Sequence, residues 1–161
     1  MNSISKLLPP SNILLNVEAT SKKRIFEQAG TLFELNQGIT HGHVFESLFS
    51  RERLGSTGLG QGIAIPHGKI KGLHEAVGAV MRLTNPVAFD APDGKPVQLL
   101  FFLLVPEHAT EEHLQILSDL AEMFSDRKFR ENLIRERDPS TIHQLITSWQ
   151  PHAPDQRRQV V

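Results

Sequence analysis

Val97-Gln98-Leu99-Leu100-Phe101-Phe102-Leu103-Leu104-Val105-Pro106 is apolar throughout except for one glutamine, and it ends on a proline. A strand with one wet face alternates polar and apolar residues. An unbroken apolar run is instead the pattern of a central strand covered on both faces. Covering both faces of a sheet takes helices on each side. The run over 99–105 is far too short to span a bilayer, so it belongs to a folded core. Working outward, residues 76–83 read as a second strand with Gly78 inside it. Between the two strands, Asn85-Pro86 and Asp93-Gly94 are turn signals bracketing Val87-Ala88-Phe89.

Beyond Pro106, Thr110 can cap a helix reaching about Phe124, with Leu114, Leu117, Leu120 and Ala121 on one face. Shorter helices follow over 127–136 and, after Asp138-Pro139, over 140–149. Toward the other end, residues 13–17 form a short strand. Thr20 or Ser21 caps a helix running to about Asn36 that Gly38 ends, and Thr40 caps another through Arg53. Residues 63–65 form a further short strand. Residues 1–12, with Pro9-Pro10, read as a poorly ordered start or a turn. The expected class is α/β: a single domain with a mixed β-sheet flanked by helices on both sides. Phe45, Phe49, Phe101, Phe102 and Phe124 are simplest as core, and the basic run Lys22-Lys23-Arg24 as a solvated face.

Length and composition set limits. At 161 residues the chain suits one domain with a real core. A formal net charge of -1 leaves no electrostatic footprint for nucleic acid. With no cysteine, a disulfide framework and a thiolate zinc site are both excluded. The first five residues lack signal-peptide features. The expectation is a soluble cytoplasmic protein with no membrane insertion.

The chemistry concentrates in Leu54-Gly55-Ser56-Thr57-Gly58-Leu59-Gly60-Gln61-Gly62-Ile63-Ala64-Ile65-Pro66-His67-Gly68-Lys69. Glycine allows a partner or an anion close to the backbone. Pro66 fixes its own φ and keeps Ile65 extended, which puts His67 at a strand end on a stiff hinge. A histidine held this way can act as a base, a metal ligand or a nucleophile. The segment is not a phosphate loop, since Ile70 stands where Ser or Thr is required, and Ile63 breaks the dinucleotide fingerprint. His41-Gly42-His43 offers too few ligands for a metal site. No metal and no cofactor are expected.

Three elements line up: Arg51-Glu52-Arg53-Leu54-Gly55-Ser56-Thr57-Gly58, then Gly62-Ile63-Ala64-Ile65-Pro66-His67-Gly68, then His113 opening an apolar helix after Leu104-Val105-Pro106. Together they closely resemble the IIA phosphocarrier proteins of the mannitol/fructose class of the bacterial phosphotransferase system, in particular their nitrogen-regulatory type. The resemblance covers roughly residues 5–148 as one type-2 IIA domain, leaving 149–161 as a loose C-terminal tail. It implies the mannitol/fructose-type IIA fold. It also implies that His67 accepts a phosphoryl group on Nε2 from a histidine phosphocarrier protein, itself charged by an enzyme that uses phosphoenolpyruvate. The family's arginine falls on Arg51 and its second active-site histidine on His113. Gln61 stands where the nitrogen-regulatory type often has Asn, a change that keeps an amide.

The residue chemistry suits that role. A neutral imidazole can attack phosphorus in line, and such transfers depend mostly on positioning and charge stabilisation. Arg51 can hold phosphoryl oxygens with its planar fork. Backbone N–H groups of the loop around Gly58 can do so without charge. Ser56 and Thr57 can fix the unused ring nitrogen or the loop itself, and His113 can donate to the phosphoryl group. Plainer readings exist for each: a turn histidine for His67, a cation easing a helix C-terminus for Arg51, a solvated first-turn residue for His113. His108 reads as a surface loop residue. Leu54, Leu59, Ile63 and Ile70 are the expected apolar rim for a partner. The implied function is a regulatory phosphocarrier whose phosphorylation state controls its target proteins. The alternative is a sugar-transport IIA component passing phosphoryl to a separate IIB domain.

Overall fold

A computed structural model describes residues 2–108 and 111–151. In chain order the elements are β1 (Ile13–Val17), α1 (Lys22–Gln37), α2 (His41–Leu54), β2 (Gly58–Gly60), β3 (Ile63–Ala64), β4 (His67–Ile70), β5 (Val77–Val87), β6 (Val97–Pro106), α3 (Glu111–Phe124), α4 (Arg127–Arg135) and α5 (Pro139–Ser148). The sheet runs β1-β5-β6-β3-β2, with β4 also paired to β6. It is mixed: β1 lies parallel to β5, β5 antiparallel to β6, and both β3 and β4 parallel to β6.

Strand β6 is the two-sided strand its composition implies. Leu100, Phe102 and Leu104 point into a core shared with α1 and α2, where Phe26, Phe33 and Leu48 are fully enclosed. Leu99, Phe101, Leu103 and Val105 point into a second core with Leu120, Phe124, Leu133 and Ile146 of α3, α4 and α5. The period-two side-chain alternation of a strand thus feeds two layers from one segment.

The helix α1 starts on Ser21, whose Oγ accepts from the Arg24 amide at 3.2 Å, and ends on Gly38 at φ +69°. At α2 the cap is not the expected one. Thr40 holds the N-cap position but makes no side-chain cap bond. The Glu34 carboxylate of α1 accepts from the His41 amide at 2.9 Å instead, so a neighbouring helix satisfies the free donor. The Thr110 cap falls outside the described residues.

Several expectations are settled or corrected. Of the two readings of the start, a loose segment or a turn, residues 2–12 take the second: Ser3–Lys6 form a 3-10 turn that buries Ile4, and Leu7 and Leu8 are buried with it. Asn2 Nδ2 donates to the Ile146 and Trp149 carbonyls, which fastens this segment to α5. Those apolar residues, spaced by three and four, carry the signal that the prolines obscured. Asn85-Pro86 is not a turn, because β5 continues through it with a register shift between Arg82 and Val87. Thr84, Asn85 and Pro86 are exposed there, so the missing proline N–H costs no ladder bond. Trp149 does not begin a loose tail: its ring packs against Phe129 and its Nε1–H donates to Asp126. Residues 152–161 lie outside the described residues.

Candidate active site

Strands β3 and β4 run along the same edge of β6, β3 opposite Leu99 and Leu100, β4 opposite residues 103–106. Ile65 and Pro66 break the path between them. The Ile65 amide leaves the ladder to bond the Thr57 carbonyl at 3.0 Å, while the Pro66 carbonyl takes the Leu103 amide at 3.0 Å. His67 is therefore the first residue of a strand that has just been re-aimed.

Its ring is fixed as well. His67 Nδ1 lies 2.8 Å from the Ile65 carbonyl oxygen. A carbonyl oxygen only accepts, so Nδ1 carries the proton and Nε2 keeps its lone pair. Burial pushes the His67 pKa below its ordinary value. The Ile65 bond opposes that shift, the Arg51 charge adds to it, and Glu52 opposes it. The neutral ring, nucleophilic at Nε2, is thus the form present near neutral pH.

Gly68 explains how a helix comes so close to this strand. A Cβ there would sit 2.1 Å from Ser47 Oγ and 3.0 Å from the Ser47 backbone carbon and oxygen. With no Cβ, α2 lies directly on β4, and Ser47 Oγ donates to the Lys69 carbonyl at 2.8 Å. One turn along α2, Arg51 lines the same groove as His67. Its Nη1 donates to the Gly55 carbonyl at 2.9 Å, which holds the guanidinium beside the helix end. From the other side, α3 brings in His113, which is buried with Nε2 lacking any hydrogen-bond partner. Burial lowers its pKa first, the Lys69 charge next; Glu112 opposes the shift and nearby His67 adds to it.

His67, Arg51 and His113, drawn from three separate elements, thus line one groove of about 590 Å³. The other four named residues do not line it. Thr57 ties the loop to α2: its amide and hydroxyl donate to buried Glu52 at 3.1 and 2.6 Å, and Lys22 donates to the same carboxylate at 2.8 Å. Ser56 Oγ donates to the Phe89 carbonyl and accepts from the Gly58 amide. Gly58 has Ala91 where a side chain would go. Gln61, at φ +58°, occupies the β2–β3 turn, and its amide donates to Asp93. Of the two roles open to Ser56 and Thr57, the hydrogen bonds are those of holding the loop; the spare ring nitrogen is held by Ile65.

The apolar rim needs correction too. Ile63 and Ile70 are buried in the core, and Leu59 is not among the groove-lining residues. Leu54 is 84% exposed and does line the groove, together with Leu114, 69% exposed, and Leu117. The shared helix face of Leu114, Leu117 and Leu120 does not say which layer each meets: Leu120 is buried in the second core, Leu117 packs partly against it, and Leu114 opens to the groove. Lys69, two residues along β4 from His67, also lines the groove, as do Ser47 and Ser50; no motif marks the two serines, and only the packing of α2 on β4 brings them there.

No helix among the described residues is long and apolar enough to cross a membrane. No group of three or more His, Asp or Glu side chains among them could hold a metal. The chain is similar to the nitrogen regulatory protein of Pseudomonas aeruginosa, 43% identical over 152 residues that cover 93% of this chain and 98% of that one. It is 42% identical to the nitrogen regulatory protein of Escherichia coli strain K12 over 132 residues, 81% of each chain. Its fold matches the crystal structure of nitrogen regulatory protein IIA-Ntr from Neisseria meningitidis with a TM-score of 0.86 and 52% identity, over 90% of this chain and 99% of that one. The profile described as phosphoenolpyruvate-dependent sugar phosphotransferase system, EIIA 2, matches residues 6–149. A match over that span makes this chain a member of the EIIA 2 family, a component of the phosphotransferase system.

Proposed function

We propose that the protein is a regulatory phosphocarrier of the nitrogen-type phosphotransferase system, taking a phosphoryl group on His67 Nε2 from a histidine phosphocarrier protein. The observation that carries this reading is the Nδ1 bond to Ile65, which leaves Nε2 as the nucleophile in a groove shared with Arg51 and His113. The Nε2 lone pair attacks phosphorus as the donor's N–P bond breaks, and that bond's electron pair returns to the donor ring. The His67 proton stays on Nδ1 against the Ile65 carbonyl. Arg51 balances charge on the phosphoryl oxygens, and His113 supplies a ring nitrogen that has no other partner. The names of its relatives from Pseudomonas aeruginosa and Neisseria meningitidis support a regulatory role, in which the charge on His67 alters binding to target proteins. The test is incubation with phosphoenolpyruvate, the first enzyme of the system and its histidine phosphocarrier, followed by intact mass measurement. One phosphoryl group is expected, acid-labile and base-stable, and none in His67→Ala. Labelling that persists in His67→Ala refutes the assignment.

A further inference from the structure

The groove around His67 continues into a hollow on its α2 side, since Ser47, Ser50 and Lys69 line both. Lys71 lines the hollow. This continuous shelf is cationic although the whole chain has a formal net charge of -1. Arg51, Lys69 and Lys71 form no ion pair among the described residues. Glu46 is the one carboxylate among the described residues that lines either part. Lys69 and Lys71 are exposed and so available to an incoming carboxylate, whereas Arg51 is half-buried and already donates to the Gly55 carbonyl.

A second, independent feature adjoins the shelf. Four large apolar residues among the described residues are conspicuously exposed, Leu35, Leu54, Leu59 and Leu114, and two of them, Leu54 and Leu114, line the groove. Exposed leucines on either side of a cleft suit a partner's apolar side chains. Unpaired lysines beside them suit carboxylates on the same partner. The shelf is also rigid, because α2 lies on β4 at Gly68 and Ser47 bonds the Lys69 carbonyl. Among the described residues no Phe or Trp lines either part to offer the stacking platform that single-stranded nucleic acid uses.

We propose that this shelf docks an acidic amphipathic protein segment, its apolar side chains between Leu54 and Leu114 and its carboxylates on Lys69 and Lys71, and that a phosphoryl group on His67 expels it. The second half rests on the proposed phosphorylation of His67. A phosphoryl group adds about 1.5 to 2 negative charges at pH 7. In the groove that Arg51 and Lys69 also line, it would neutralise Lys69, one of the two cations that the carboxylates use, and repel those carboxylates.

The probe is a fluorescent helical peptide with leucine on one face and glutamate on the other, beside a twin with lysine for glutamate. Binding to the full chain is followed by anisotropy, and the contact surface by amide chemical shifts. The glutamate peptide is expected to bind unmodified protein and to shift residues 47, 50, 54, 69, 71 and 114. Binding should weaken on the order of tenfold in Lys71→Glu and in Leu114→Glu at low salt. The Lys71→Glu difference should shrink at 1 M salt, where the screening length is about 3 Å. Both positions are exposed, and a dispersed amide spectrum checks each fold. Equal binding of the lysine twin, or indifference to Lys71→Glu, overturns the shelf. So does preferential binding of single-stranded DNA or of anionic phospholipid vesicles over the glutamate peptide. Phosphorylated protein, its label verified by mass, should bind the peptide at least about tenfold more weakly; unchanged binding overturns the switch. Failure to acquire the label at all overturns the proposed function and the switch together, while the peptide result on unmodified protein still decides the shelf.

Discussion

Gly68→Ala tests whether the approach of α2 to β4 sets the site. The new Cβ would lie 2.1 Å from Ser47 Oγ and 3.0 Å from the Ser47 backbone carbon and oxygen. The hydroxyl can rotate away, but it then loses its bond to the Lys69 carbonyl, about 1 kcal/mol. The backbone atoms cannot rotate; α2 must move out by a few tenths of an ångström, an overpacking cost of about 1–3 kcal/mol. Alanine restricts the unfolded chain and returns about 0.4–1 kcal/mol. The net is about 1–3.6 kcal/mol of destabilisation, roughly 2–14 °C in Tm for a chain of this size. Arg51 is one turn from Ser47 on the same helix, so it shifts with it. Since about 1 Å of misplacement can cost on the order of a hundredfold in rate, a few tenths should slow phosphoryl acceptance roughly threefold to tenfold. Differential scanning calorimetry and a rapid-quench transfer assay measure the two effects. Adding Ser47→Ala relieves the hydroxyl clash but not the backbone one, so it should restore only part of the Tm. A Gly68→Ala protein that melts and accepts phosphoryl like the wild type would refute the reasoning.

Arg51→Ala and His113→Ala should each retain the fold and slow transfer by about 2.7–4 kcal/mol of barrier, on the order of a hundredfold to a thousandfold; stopped-flow rates at the wild-type value would remove both from the chemistry. His67 and His113 have lowered pKa values in the folded protein, so below the ordinary value of about 6.5 the unfolded chain takes up protons first. Stability should therefore be level above that pH and fall as pH drops through the folded values, and ring NMR titrations should give midpoints below about 6.5. Leu54→Asp and Leu114→Asp should raise the donor concentration needed for half-maximal transfer, whereas Leu59→Asp, outside the groove, should not; the reverse order in a donor titration would contradict the rim described here.

Much of the architecture was legible because single segments determined it. The apolar run of β6 implied two covered faces, and its odd and even residues do fill two cores. Ser21 and Gly38 marked the ends of α1 through local chemistry that tertiary contacts did not override. What escaped were features that depend on a distant partner. Three residues make too short a pattern to identify β2, and β4 escapes because Pro66 and Gly68 interrupt the segment, so that His67 reads as a strand end and not the strand start it is. Glu34 reaching seven residues ahead to cap α2 leaves no local signature. At the site, His67, Arg51 and His113 were picked out through their motifs. Of the rim leucines only Leu54 was expected; Leu114 and Leu117 were not, because they sit on a helix whose rotation only the packing decides.

The bond from His67 to Ile65 has a consequence for energetics. A neutral carbonyl orients the imidazole N–H but has little affinity for the proton itself, unlike a carboxylate, which would draw it away and steady a positive ring. Under the proposed chemistry the phosphorylated imidazole is therefore cationic, with a carbonyl dipole and no carboxylate on its Nδ1–H. An electron-poor ring is a good leaving group, and it departs neutral once phosphorus is taken by the next acceptor. The phosphoryl bond at His67 is thus held at high transfer potential, so the group can pass back toward its donor as well as onward. The ratio of charged to uncharged protein would then follow the charge state of the donor pool, and the molecule would report that state continuously instead of storing it.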